Sequence, residues 1–168
     1  MTPPMQLKTE PPAKIKLPQF DKRGLLPPGA YGCTLAQARA IFAYNIRREL
    51  LFNALTRALQ LMRQANLAGD VLLDGSFVTD KAHPDGLDVI LDARHQSQNA
   101  QAQALLFYIS RTQELAKMGV NWFVNLKGDN STSHHNFNDF FHYVGARTAA
   151  TKQLQPQDKK GTLRLVAW

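Results

Sequence analysis

The stretch from Val71 to Asp92 limits what this 168-residue chain can fold into more than any other. It holds two short apolar runs, Val71-Leu72-Leu73 and Leu87-Asp88-Val89-Ile90-Leu91, each bounded by turn residues. Both are too short for an independent helix and read as adjacent core strands. Between them Gly75-Ser76 opens a polar turn, and Pro84-Asp85-Gly86 delivers Asp88 into the second strand. A glycine after one strand lets backbone N–H groups approach a phosphate oxygen. Carboxylates on the next strand offer hard oxygen ligands to a divalent cation.

The remaining elements arrange themselves around that pair. Residues 1–19 carry five of the nine prolines, with Lys8, Lys14 and Lys16 among them, so the segment reads as an extended or disordered arm. A single domain over residues 20–168 is expected to follow. Phe20 to Gly32 reads as a loop, and Thr34-Leu35-Ala36-Gln37 fits a capping box at the start of a helix. The helical pattern runs to about Ala65 with a bend near Asn45, and Leu51, Leu55, Ala58, Leu59 and Met62 form its apolar stripe. Gly69 suits the turn that ends it.

Ser97 is placed to cap a helix from Gln98 to Met118, Gly119 stops it, and Val120 to Leu126 alternates as a third strand. A polar loop, a short aromatic helix over 136–144, a second polar loop through Gln157 and a last strand from Gly161 complete the order. Such a run predicts an α+β fold, a small mixed sheet packed by helices.

Composition narrows the partners. The formal charge of +7 favours an anionic partner, nucleotide or nucleic acid first, against a basic surface kept for solubility. Arg39, Arg47, Arg48, Arg57 and Arg63 read as a basic face of the first helices or as a solvated one. One cysteine, Cys33, excludes an internal disulfide framework and suits a reducing cytoplasm. No apolar run nears the roughly 18 residues of a membrane span, and prolines stand where a signal peptide would have its apolar core. His134, His135 and His142 are weak zinc candidates without cysteine partners.

Four motifs, in order, carry a resemblance: Leu26-Pro27-Pro28-Gly29, Gly75-Ser76-Phe77-Val78-Thr79, Leu87-Asp88-Val89 and Lys160-Gly161-Thr162-Leu163. Together they resemble a small nucleotidyltransferase-like family of bacterial and mobile-element genomes, within a superfamily marked by Gly-Ser and a following Asp-x-Asp. The resemblance implies a minimal nucleotidyltransferase-like fold with Asp88 as a Mg²⁺ ligand. Asp88 and Asp85 would then be the catalytic carboxylates, and Gly75, Ser76, Lys81 and Asn121 would line the nucleotide site. The sequence departs from that pattern at two positions. Gly86 stands where the first Asp is expected, and Asn121 falls on the strand that should supply a third carboxylate. Asp85 or Asp74 would have to replace the missing ligand.

The expectation is therefore a degenerate nucleotidyltransferase-like protein, a pseudoenzyme that binds a nucleotide, a nucleic acid or a protein partner in a phage-defence or toxin–antitoxin context. Two alternatives stay open. One is an active Mg²⁺-dependent nucleotidyltransferase modifying RNA or protein. The other is an antitoxin or phage-encoded inhibitor using the fold as an interaction scaffold, with the proline-rich arm and Trp168 as contact elements.

Overall fold

A computed structural model describes residues 16–128 and 142–168. Five strands, β1 (Gly29–Cys33), β2 (Asp70–Asp74), β3 (Leu87–Asp92), β4 (Val120–Asn125) and β5 (Gly161–Leu165), form one sheet in the order β1-β5-β2-β3-β4. The outer pairs β1/β5 and β3/β4 are parallel, and β2 runs antiparallel to both β5 and β3. Four helices complete the described elements: α1 (Leu35–Phe42), α2 (Ile46–Gln64), α3 (Gln98–Lys117) and α4 (Gly145–Lys152). The architecture is α+β with a mixed sheet, as expected. Among the described residues no helix is long and apolar enough to cross a membrane.

Strand alternation divides the sheet into two unlike faces. Val71 and Leu73, Val89 and Leu91, Trp122 and Val124, and Leu163 and Leu165 pack with Phe42 of α1, Leu55 and Met62 of α2 and Phe107 of α3 in a single buried cluster. The Trp122 indole N–H donates to the Met62 sulfur at 3.3 Å, so even the polar edge of that ring is satisfied within the core. The opposite face carries a small apolar group, Leu72, Ile90 and Phe123, and then turns polar at one end. There the register sets Asp74 opposite Asp88, and Asp88 opposite Asn121.

Local sequence fixes the helix starts. Thr34 and Gln37 form the reciprocal capping box, and the Ser97 hydroxyl accepts from the Ala100 N–H at 3.2 Å. The expected bend near Asn45 is a full break between α1 and α2. The Asn45 side chain caps α2 by accepting from the Arg48 N–H at 3.0 Å, and it reaches across to the Ala82 carbonyl at 2.7 Å. Cys33 is fully buried, and burial pushes its thiol up to about 11, as suits an apolar filler.

Three expectations need correction. The segment read as a loop before Gly32 contains β1, a strand without β-branched residues that exists because it pairs along its whole length with β5. The polar segment after Val144 contains α4, which packs Ala149 against Leu25 and Val144. Arg48 belongs to no basic surface, being completely buried. The arm over 1–15, the aromatic residues over 136–141, His134 and His135 lie outside the described residues, and Leu17 at the end of the arm is already part of the core.

Candidate functional site

The site forms where the polar end of the sheet meets the turn after β2 and the first residues of α4. Gly75 leaves β2 with φ +82°, a left-handed conformation that favours glycine, and a Cβ there would stand 3.0 Å from the Asp88 carboxyl carbon. Ser76 then opens a short 3₁₀ turn, Ser76–Val78. Its hydroxyl accepts from the Asp85 N–H at 3.0 Å, so the residue ties the Pro84-Asp85-Gly86 turn back onto the first strand. Two further anchors hold that loop from α2. Arg47 donates to the carbonyls of Pro84 and Asp85 at 3.0 and 2.7 Å. Arg48 donates to the carbonyls of Phe77, Thr79 and Lys81.

The floor is a row of side chains from four strands or their approaches. The Asp88 Oδ1 accepts from the Asn121 amide at 2.9 Å. Asp74, beside Asp88 across the β2/β3 ladder, is 0% exposed, and its Oδ1 accepts from the Lys160 ammonium. Asp74 Oδ2 and the Thr162 hydroxyl on the same sheet face are buried without a hydrogen-bond partner among the described residues. Burial pushes Asp74 up to about 7 against the opposing pull of Lys160, with the Asp88 charge adding to the rise. Desolvation also raises Asp88, offset by the Asn121 hydrogen bond and the charges of Lys160 and Arg147.

Lys160 is held by its main chain. Its N–H donates to the His142 carbonyl at 2.8 Å, and the next N–H, of Gly161, donates to the Leu26 carbonyl at 2.8 Å. Gly161 pairs with Gly29 across the β5/β1 ladder, and a Cβ on it would come within 2.3 Å of the Pro27 carbonyl oxygen. The Leu-Pro-Pro-Gly and Lys-Gly motifs, far apart in sequence, are therefore one structural unit that positions the Lys160 side chain.

Above this floor lies a cavity of about 1010 Å³. Its lining includes Gly75, Ser76, Asp85, Gly86, Asp88, Asn121 and Lys160, from the sheet and the turns beside it, and Tyr143, Val144, Ala146, Arg147 and Pro156, from α4 and the segments flanking it. Arg147 is exposed and acts on Asp85 and Asp88 through its charge. Five of the six residues expected at the site, Asp88, Asp85, Gly75, Ser76 and Asn121, share this cavity. Lys81 does not line it. Its ammonium sits on the rim, bonded to Asp85 at 2.6 Å, and that pairing holds the exposed Asp85 carboxyl below the usual range.

Sequence reading missed Lys160, Arg147 and Tyr143 as site residues, and gave Asp74 only as a substitute ligand. A signal for Lys160 existed. An aspartate ending a core strand on the face opposite Leu73 needs a buried cationic or donor partner, and a lysine directly precedes the last strand.

The chain belongs to a family of unknown function, DUF6932, which it matches over residues 18–166. No curated protein and no solved structure matches it.

The Mg²⁺ that the resemblance implies fits this DUF6932 chain poorly. A divalent cation of that kind needs oxygen donors in near-octahedral array. Here Gly86 offers no side-chain donor, Asn121 bonds Asp88 through its amide nitrogen, and Asp74 is fully buried with one oxygen taken by an ammonium. Among the described residues no cluster of three His, Cys, Asp or Glu side chains is arranged to hold a metal.

Proposed function

We propose that this protein works by binding a nucleotide, or the phosphorylated end of a nucleic acid, in the cavity over β2, β3 and β5. The observation that carries this reading is the cavity's mixed lining, cationic and apolar together. The lining includes Lys160, Arg147 and the Gly75-Ser76 turn, groups suited to a phosphate, and both cations act on Asp88 through their charge. It also includes Tyr143, Val144 and Pro156, an aromatic ring and apolar groups suited to a base. The volume is that of a pocket for a ligand of nucleotide size.

In this arrangement Asp88, oriented by the Asn121 amide, is a hydrogen-bond acceptor for a sugar hydroxyl. The nucleotidyltransferase-like reading of the fold is consistent with the Gly-Ser turn standing beside an aspartate on the neighbouring strand. Turnover is not part of the proposal, because a two-metal transfer site needs carboxylates where Gly86 and Asn121 stand.

Calorimetric titration of the four nucleoside triphosphates into the full chain tests the reading. At least one should bind. Arg147→Ala should weaken that binding about tenfold, close to 1.4 kcal/mol, while leaving the melting temperature unchanged because the side chain is exposed. Titrations without heat for all four, repeated by equilibrium dialysis, would refute it. Transfer of radiolabel from a nucleotide to RNA or protein, lost in Asp88→Ala, would replace it with the enzyme reading.

A further inference from the structure

The buried lysine suggests how the ligand's charge is met. Lys160 is 8% exposed and lines the cavity, with its ammonium seated on Asp74 behind it and Asp88 beside that pair. We propose that the Lys160 ammonium is the resident cation of this site, so that the phosphate of the ligand is bound without a divalent metal. The proposal rests on the nucleotide reading above.

Three observations lead to it. The ammonium is held within the fold by its bond to buried Asp74, on a main chain that the Lys160 and Gly161 N–H groups tie to the carbonyls of His142 and Leu26. It occupies one oxygen of the carboxylate beside Asp88, and a divalent cation brought beside an ammonium at low dielectric is repelled rather than held. Asn121 supplies a neutral amide that donates to Asp88, a contact that satisfies the carboxylate without a metal. Two carboxylates that would otherwise repel are thereby stabilised by groups belonging to the chain itself. Lys160 and Arg147 both line the cavity and both act on Asp88 through their charge, and the ammonium has donors beyond the one that Asp74 takes.

The arrangement also predicts what Lys160 excludes. With the ammonium removed, Asp74 and Asp88 become neighbouring carboxylates across the β2/β3 ladder without a cation between them, a donor pair open to a hard divalent ion. Replacing Lys160 should therefore trade a built-in cation for an exchangeable one.

The test uses the full-length protein with ATP as the nucleotide probe and Mn²⁺ as the metal probe. In wild type, ATP affinity should change by no more than about twofold between EDTA and excess Mg²⁺, well under 1 kcal/mol. Electron paramagnetic resonance should show no Mn²⁺ taken up by the protein alone. Lys160→Ala should bind ATP about tenfold more weakly in EDTA, regain part of that loss with Mn²⁺, and take up Mn²⁺ without nucleotide. Circular dichroism melts establish that the variant is folded. Should it not fold, the wild-type comparison and the wild-type Mn²⁺ measurement decide the matter on their own. Wild-type ATP binding that vanishes in EDTA, or Mn²⁺ bound by the wild-type protein alone, would overturn the resident-cation proposal and leave the nucleotide reading standing. No ATP binding in either condition, with the other three triphosphates also silent, overturns both.

Discussion

Arg48 and Lys160 are both cations buried inside this protein, and they are buried in opposite ways. Arg48 uses all five of its N–H donors on main-chain carbonyls: those of Phe42, Phe77 and Thr79 once each, and that of Lys81 twice. Its guanidinium also lies over the rings of Tyr44 and Phe77, at 4.6 and 5.3 Å. No acid pairs with it among the described hydrogen bonds and ion pairs. Lys160 has a carboxylate for its partner, leaves one oxygen of that carboxylate without a hydrogen bond, and lines a cavity. The first arrangement is closed on itself and fixes a loop; the second is left incomplete beside open space. Burial of a charge is by itself no mark of a ligand site. What marks one is a donor set that the fold does not use up.

The largest expected effect breaks the closed side of the comparison. Arg48→Met strands carbonyls of three loop residues and one helix-end residue in the interior, a cost on the order of 5 kcal/mol. Urea denaturation would measure it as a lower midpoint. Arg48→Lys should recover little, because three donors on a point charge cannot serve four divergent carbonyls. A stability equal to wild type in Arg48→Lys would mean that the fork geometry is unimportant.

A smaller effect, about 3 kcal/mol, is expected for Lys160→Met, which leaves Asp74 buried without its counter-charge. Here a second substitution should help. Lys160→Met combined with Asp74→Asn should recover most of the loss, since neither group is then charged. No second substitution can do this for Arg48, whose acceptors are main-chain. Additive losses in the double variant would show that the two groups are not coupled.

A third effect sharpens the difference through pH. Asp74 rises from 3.8 to about 7 on folding, so between those values the native state holds more protons than the unfolded chain. Its contribution to stability is therefore fully present below about pH 4 and is lost as the pH rises towards 7. Asp88, raised by burial, acts in the same sense. Asp85, held low by Lys81, acts in the opposite sense but is exposed and screened. Urea midpoints at about pH 4.5 and pH 7.5 should differ less for Asp74→Asn than for wild type. Identical slopes would mean that Asp74 stays ionised throughout.

The parts of this fold that were legible in the sequence are those governed by neighbours along the chain. The Thr34 and Ser97 caps, the α2 stripe and the alternation of β4 all depend on residues within a turn or two, whereas the break that Asn45 caps was legible only as a bend. Strand β1, with the composition of a loop, becomes a strand only through pairing with residues more than a hundred positions later. The same division runs through the site. Gly75, Ser76, Asp85 and Asp88 belong to one continuous motif and could be read together. Lys160 reaches Asp74 across 86 residues, and Arg147 arrives on a helix whose sequence signals only polarity. Lys81 looked equally eligible on the page, but its spacing to Asp85 lets the two pair with each other on the rim.

The position of β5 has a consequence for how such a chain is made. The strand latest in sequence lies inside the sheet, between β1 and β2, so its neighbours must wait for it. While the chain is being synthesised, β2 presents an unpaired edge and Asp74 has no ammonium to meet. Closing the sheet joins residues separated by most of the chain, which makes it a slow, late step during which the open edge can pair wrongly. Ribosome-bound chains ending before Lys160 should therefore depend on chaperone cover in a way that the finished protein does not.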